Sequence, residues 1–79
     1  MKLTVVMYDR LNRRKGHRLV RWGLGDFHVV KIEGGDVWVG CGVPTGPAPE
    51  RFIPDDHRDP TVCGECWERF IGVVQRRMI

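Results

Sequence analysis

The chain has 79 residues, of which 42% are hydrophobic and 29% are charged, and its formal net charge is +3. This composition excludes a largely disordered protein, and the length allows a single domain, residues 1–79, with one small core. No segment approaches the roughly 20 apolar residues of a membrane span, and the apolar start is too short for a signal peptide. We therefore expect a soluble cytoplasmic protein. Because a core of this size rarely supplies more than about 3–5 kcal/mol, we also expect an additional stabilising link.

Residues 1–26 are predicted to form a basic N-terminal hairpin. The stretches 3–8 and 17–22 are typical of strands, and the basic segment between them would form the hairpin tip. Seven Lys or Arg and two Asp give residues 1–26 a net charge of +5, whereas residues 27–79 carry −2. The candidate nucleic-acid-binding residues are Arg10, Arg13, Arg14, Lys15, Arg18 and Arg21. Such a basic end fits phosphates or an acidic protein surface, although it could also serve solubility alone.

A second hairpin is predicted around Gly34-Gly35, a dipeptide suited to a two-residue turn between β-prone runs. This turn sets Val30 opposite Val39 and His28 opposite Cys41. One face of the hairpin is then apolar and ends in the histidine and the cysteine, while the other face is mostly polar. His28 and Cys41 would be a non-hydrogen-bonded pair with Cβ atoms about 4.5–5.5 Å apart, a separation suited to two ligands of one metal ion.

The three cysteines, Cys41, Cys63 and Cys66, indicate a zinc site more strongly than disulfides. Their number is odd, and no secretory signal accompanies them. Cys63 and Cys66 form a C-x-x-C unit, which is used both by redox dithiols and by zinc sites. The redox use requires a βαβ unit around the motif, and too little chain follows Cys66 to build one. A structural zinc ion is therefore the predicted cofactor.

The fourth ligand is predicted to be His28, with two histidines as alternatives. His57 lies six positions before Cys63 in an acidic segment, and His17 lies among cations that disfavour a metal ion. A histidine on an apolar strand face can also be a packed, hydrogen-bonded residue with no ligand role. The sequence leaves this choice open.

Residues 43–60 contain all five prolines and are predicted to form a long irregular connection, with Phe52 and Ile53 pinning its middle to the core. Asp59 and Pro60 form a helix-start signal. The apolar stripe that follows has helical spacing and carries both cysteines of the C-x-x-C unit. We therefore predict an α+β fold in which an antiparallel sheet of two hairpins packs against one C-terminal helix. Residues 27–79 would supply the zinc hairpin, the connection and the helix.

The run His28, Cys41-Gly42 and Cys63-Gly64-Glu65-Cys66 resembles small zinc-binding proteins of actinobacteria and their phages, which are related in shape to zinc-ribbon and treble-clef modules. The resemblance covers residues 28–66. It implies a structural zinc held by three cysteines and one histidine, which would be His28, Cys41, Cys63 and Cys66. It implies little about function, because such proteins are mostly uncharacterised.

Three classes of function are compatible with these features. The first is a non-enzymatic regulatory zinc module that binds nucleic acid through the basic N-terminal hairpin. The second is a protein-binding adaptor or inhibitor, such as a phage protein acting on host machinery, with Trp38 as a contact residue. The third, an enzyme, is disfavoured because no general base other than Glu65 accompanies the cysteines and no nucleophile or phosphate-loop motif is present. No membrane or small-molecule substrate is expected.

Overall fold

The computed structural model describes residues 1–33, 36–42, 49–56 and 60–77. It contains two helices and a four-stranded antiparallel sheet, so the predicted α+β class is confirmed. In chain order the elements are α1 (Val5–Asn12), β1 (His17–Arg21), β2 (His28–Glu33), β3 (Asp36–Val39), β4 (Glu50–Arg51) and α2 (Gly64–Arg77). No helix within these described ranges combines the length and the apolar character needed to cross a membrane.

The sheet has the strand order β3-β2-β1-β4. The register predicted for the central hairpin is confirmed, since Glu33 pairs with Asp36 and Val30 pairs with Val39. Residues 34 and 35, the predicted turn, lie outside the described residues. Because the hairpin register holds up to its open end, His28 and the chain after β3 lie side by side.

The predicted N-terminal strand is wrong, because its residues belong to α1. The side chain of Thr4 caps this helix by accepting a hydrogen bond of 3.1 Å from the backbone N–H of Met7. Leu11 is buried one turn further on. The β-branched Val5 and Val6 suggested a strand, but both lie on the outer face of the helix. The strand next to β1 on this side is β4, so no N-terminal hairpin forms.

The core lies on one face of the sheet, beneath both helices. Its buried members are Leu11, Leu19, Phe27, Val29, Phe52, Val62, Cys66, Trp67 and Phe70. Helix α2 covers the face of the central hairpin that carries Val29 and Gly40, although the face that carries Val30 is the more apolar one. Both faces of β2 are nevertheless buried near its start, since Val29 and Val30 are at most 1% exposed. The alternation of apolar and polar residues along the hairpin therefore could not identify the face on which α2 packs.

The chain around Pro60 is extended, and α2 begins only at Gly64. The carbonyl of Pro60 accepts a hydrogen bond of 3.1 Å from the N–H of Leu3. Thr61 and Val62 form isolated bridges to neighbouring segments. These pairings compete with helix formation, so the predicted start at Asp59-Pro60 is wrong for Pro60, and Asp59 itself lies outside the described residues.

Within its described residues, the connection before α2 is pinned to the core by Phe52. Phe52 is buried and stacks edge-on against Tyr8 and Phe27, with ring centroids 5.3 Å apart in both pairs. Ile53, predicted to join it, is 50% exposed.

Candidate metal centre

Three separate parts of the chain meet at the open end of the central hairpin. His28 is the first residue of β2, and Cys41 follows β3 by two residues. Cys63 directly precedes α2, and Cys66 lies in its first turn. The segment before α2 is held beside β2 by two backbone hydrogen bonds of 2.8 Å, from Phe27 N–H to Thr61 and from Cys63 N–H to Phe27. The C-x-x-C unit is thereby brought next to His28.

The four predicted ligands form one cluster in which all ligand atoms lie within 4.8 Å of one another. The Nδ1 atom of His28 is 3.4 Å from Cys41 Sγ and 3.5 Å from Cys66 Sγ. A tetrahedral zinc ion with bonds of about 2.1 Å to nitrogen and 2.3 Å to sulfur would separate these atoms by roughly 3.5 Å. The cluster is therefore compatible with one metal ion bound by three sulfurs and one nitrogen.

Cys66 is the most enclosed ligand, with none of its surface exposed. Burial, and secondarily a hydrogen bond with the Cys41 side chain, raises the pKa of the Cys66 thiol to about 12. The backbone N–H of Cys41 acts in the opposite direction by donating a hydrogen bond of 3.2 Å to Cys66 Sγ. Without a metal, Cys66 is thus a neutral thiol at pH 7. A bound cation would displace this proton and stabilise the thiolate.

Gly40 allows the hairpin to approach α2 at the cluster. A Cβ atom at this position would lie 3.0 Å from Cys66 Cα and 3.2 Å from the Cys66 carbonyl oxygen. Such distances require a shift of backbone, so a side chain here would move a ligand. The close packing of Gly40 on Cys66 therefore helps to define the positions of the sulfur atoms.

Residues outside the cluster also hold its surroundings together. Thr61 donates a hydrogen bond of 2.6 Å to Asp26, which links the loop before β2 to the segment before α2. The ring of Trp22 lies 6.2 Å from the ring of His28. The hydrogen bond ties the chain just before His28 to the chain just before Cys63, and Trp22 lies beside the His28 ring.

Of the two alternative histidines, His17 lies elsewhere in the fold. Its ring packs against Phe70, with the centroids 5.2 Å apart, and it does not belong to the cluster. His57 lies outside the described residues. Among the histidines that the structure describes, His28 is the one that joins the cysteines.

The six basic candidates extend from a helix through a turn into a strand. Arg10 belongs to α1, and Arg18 and Arg21 belong to β1. The three between them are Arg13, Arg14 and Lys15, the first of which is the C-cap of α1. Arg21 differs from the others because its Nε donates to Glu50 Oε2 at 2.6 Å, while its guanidinium lies 5.0 Å from the ring centre of Phe27. Arg21 therefore helps to join β1 to β4.

A groove between β3 and α2 was not predicted from the sequence. Trp38 is 40% exposed and lines two open cavities of about 290 and 360 Å³. Phe70 and Val73 line the first cavity, and Gly72 lines the second. The predicted register places Trp38 on the mostly polar face of the hairpin, and the groove arises because α2 packs against that same face.

No protein-family model, curated protein or solved structure matches this chain. The resemblance to actinobacterial and phage zinc-binding proteins thus gains no support beyond the metal-ligand cluster itself. Function has to be argued from the cluster and from the surfaces around it.

Proposed function

We propose that this chain is a small non-enzymatic regulatory module that holds one structural zinc ion and binds nucleic acid through its basic N-terminal part. The observation that carries the zinc part of the proposal is the cluster of His28, Cys41, Cys63 and Cys66, and the nucleic-acid part rests on the basic turn that follows the short helix α1.

The donor set favours zinc among the common metal ions. Three thiolates and an imidazole are ligands that zinc binds in tetrahedral structural sites, whereas Ca²⁺ and Mg²⁺ prefer oxygen. Four protein ligands would fill the zinc coordination shell and leave no position for a substrate. The proposed zinc ion therefore stabilises the fold, by linking β2, the end of β3 and the start of α2, and takes no part in catalysis.

Nucleic-acid binding is supported by the charge around the end of α1. Residues 10–18 contain five Lys or Arg and no acidic residue. Arg10, Arg13 and Lys15 are exposed. Cations grouped in this way attract the phosphates of a nucleic acid, and their binding releases the counterions condensed on those phosphates. The affinity for nucleic acid should therefore fall steeply as the salt concentration rises.

The experiment is a titration of the zinc-loaded protein against labelled duplex and single-stranded oligonucleotides at several salt concentrations. We expect the double variant Arg13→Ala/Arg14→Ala to weaken binding to all sequences alike and to flatten the salt dependence. Arg69→Ala is a matched control, because it removes an exposed charge from α2, where the residue pairs with Glu65 across one helical turn. Equal affinities of the wild type and the double variant would refute nucleic-acid binding by this surface.

A second candidate, binding of a protein partner, is favoured by the groove at Trp38. An aromatic side chain that is partly exposed between two open cavities is a common anchor in protein interfaces. The chain would then be an adaptor or inhibitor. Loss of a co-purifying protein in Trp38→Ala, with nucleic-acid affinity unchanged or absent, would favour this candidate over the first.

A further inference from the structure

The outer face of α1 is unusual for a helix in so small a protein. Its inner face packs Leu11 into the core, with Met7 and Tyr8 partly buried beside it. The outer face is exposed and carries Val5, Val6, Asp9, Arg10 and Asn12. Val5 is 78% exposed and Val6 is 67% exposed, so two neighbouring apolar side chains project into solvent.

These side chains belong to the types that read base edges in the DNA major groove. Arginine binds guanine with two hydrogen bonds, asparagine binds adenine in the same manner, and aspartate can accept from cytosine. Valine offers methyl groups for contact with the thymine methyl, as other small apolar side chains do. Arg10 lies one turn after Val6, so these two share a stripe along the helix.

The size of α1 and the charge beside it also fit duplex DNA. A helix of 8 residues is about 12 Å long, and a helix with its side chains fits the B-DNA major groove, which is about 12 Å wide. Arg14 and Lys15 follow directly after the helix, where they could reach phosphates as the helix lies in the groove. The A-form major groove of RNA is too narrow and deep for such a contact.

We propose that the outer face of α1 enters the major groove of duplex DNA and reads base edges through Arg10 and Val6, while Arg14 and Lys15 contact the backbone. The inference rests on the proposed nucleic-acid function and specifies its ligand as double-stranded DNA and its mode as direct base recognition.

The test is selection of preferred sequences from a random duplex library by the full zinc-loaded chain, followed by affinity measurements on the enriched duplex and a scrambled duplex. We expect an enriched motif. Arg10→Ala should weaken binding to that motif by about 5- to 150-fold while changing the affinity for the scrambled duplex much less. Lys15→Ala should weaken both duplexes equally, and Arg69→Ala should change neither. Circular dichroism checks that each exposed-site variant remains folded.

The outcomes separate this inference from the function on which it rests. Binding without an enriched motif, or equal losses for Arg10→Ala on both duplexes, would overturn base reading by α1 and leave phosphate binding standing. Tighter binding to single strands or RNA than to any duplex would overturn it in the same way. Absence of binding to every nucleic acid at low salt would instead overturn the proposed function itself.

Discussion

Replacement of Gly40 by alanine is the sharpest structural test of the way α2 packs on the central hairpin. The added Cβ would lie 3.0 Å from Cys66 Cα and 3.2 Å from the Cys66 carbonyl oxygen. Both are backbone atoms at the start of α2, so neither can move by rotation of a side chain. We expect Gly40→Ala to lower the free energy of unfolding by about 1–3 kcal/mol, the usual range for overpacking. In a domain of this size that corresponds to a loss of roughly 4–24 °C in Tm.

A matched control is offered by Gly72 in the interior of α2. No atom lies within 4 Å of the position that a Cβ would take there. Gly72→Ala should therefore raise the free energy of unfolding by about 0.5–1 kcal/mol through its higher helix propensity.

The assay is urea unfolding of the zinc-loaded protein, together with competition against a zinc chelator. Gly40→Ala should lower both the stability and the zinc affinity, because the clash displaces Cys66. Equal changes in stability, in the same direction, for Gly40→Ala and Gly72→Ala would refute the close packing of the hairpin on the turn that carries Cys66.

Further predictions concern the cluster, its protonation and the N-terminal helix. Cys63→Ser or Cys66→Ser should abolish zinc binding and most of the native circular dichroism, because zinc-binding energy is folding energy in such modules; a variant that keeps the wild-type spectrum and Tm would contradict this. Because burial raises the pKa of the Cys66 thiol to about 12, a proton must leave this sulfur when zinc binds, so the zinc affinity should rise with pH. Competition with a chelator of known pH dependence measures this at several pH values, and a zinc affinity independent of pH would contradict it. Thr4→Ala should cost about 1 kcal/mol by removing the cap of α1, as measured by urea unfolding, whereas an unchanged midpoint would contradict the capping hydrogen bond.

The central hairpin and the metal-ligand cluster were accessible from the sequence because local rules specify them. A two-residue glycine turn determines the strand register, which sets Val30 opposite Val39. From that register the pairing of His28 with Cys41 follows by counting. The C-x-x-C spacing then supplies two further ligands on one side of a helix start, and the cluster in the fold contains these same four residues.

The N-terminal prediction failed because intrinsic propensity was given too much weight. Val5 and Val6 are β-prone, yet the cap at Thr4 and the burial of Leu11 make residues 5–12 helical. The helical spacing of Met7, Tyr8 and Leu11 was the available signal for this helix.

The start of α2 and the face it covers depend on contacts distant in sequence. The backbone of Pro60 pairs with Leu3, which the local Asp-Pro signal could not indicate. Gly40 allows α2 to lie on the face of Val29, although the opposite face is more apolar by composition. A glycine at the end of a strand can indicate that another segment packs closely on it, but the sequence alone does not show which segment this is.

Native mass spectrometry of the protein purified without reductant or chelator tests the central claim most directly. The account predicts a monomer mass increased by one zinc ion, with the loss of protons that accompanies thiolate ligation and with no disulfide. Addition of a strong chelator should remove the ion and shift the charge-state distribution towards that of an unfolded chain. A metal-free mass lighter by a pair of hydrogen atoms, with a native charge-state distribution, would show a disulfide in place of the metal and contradict the account.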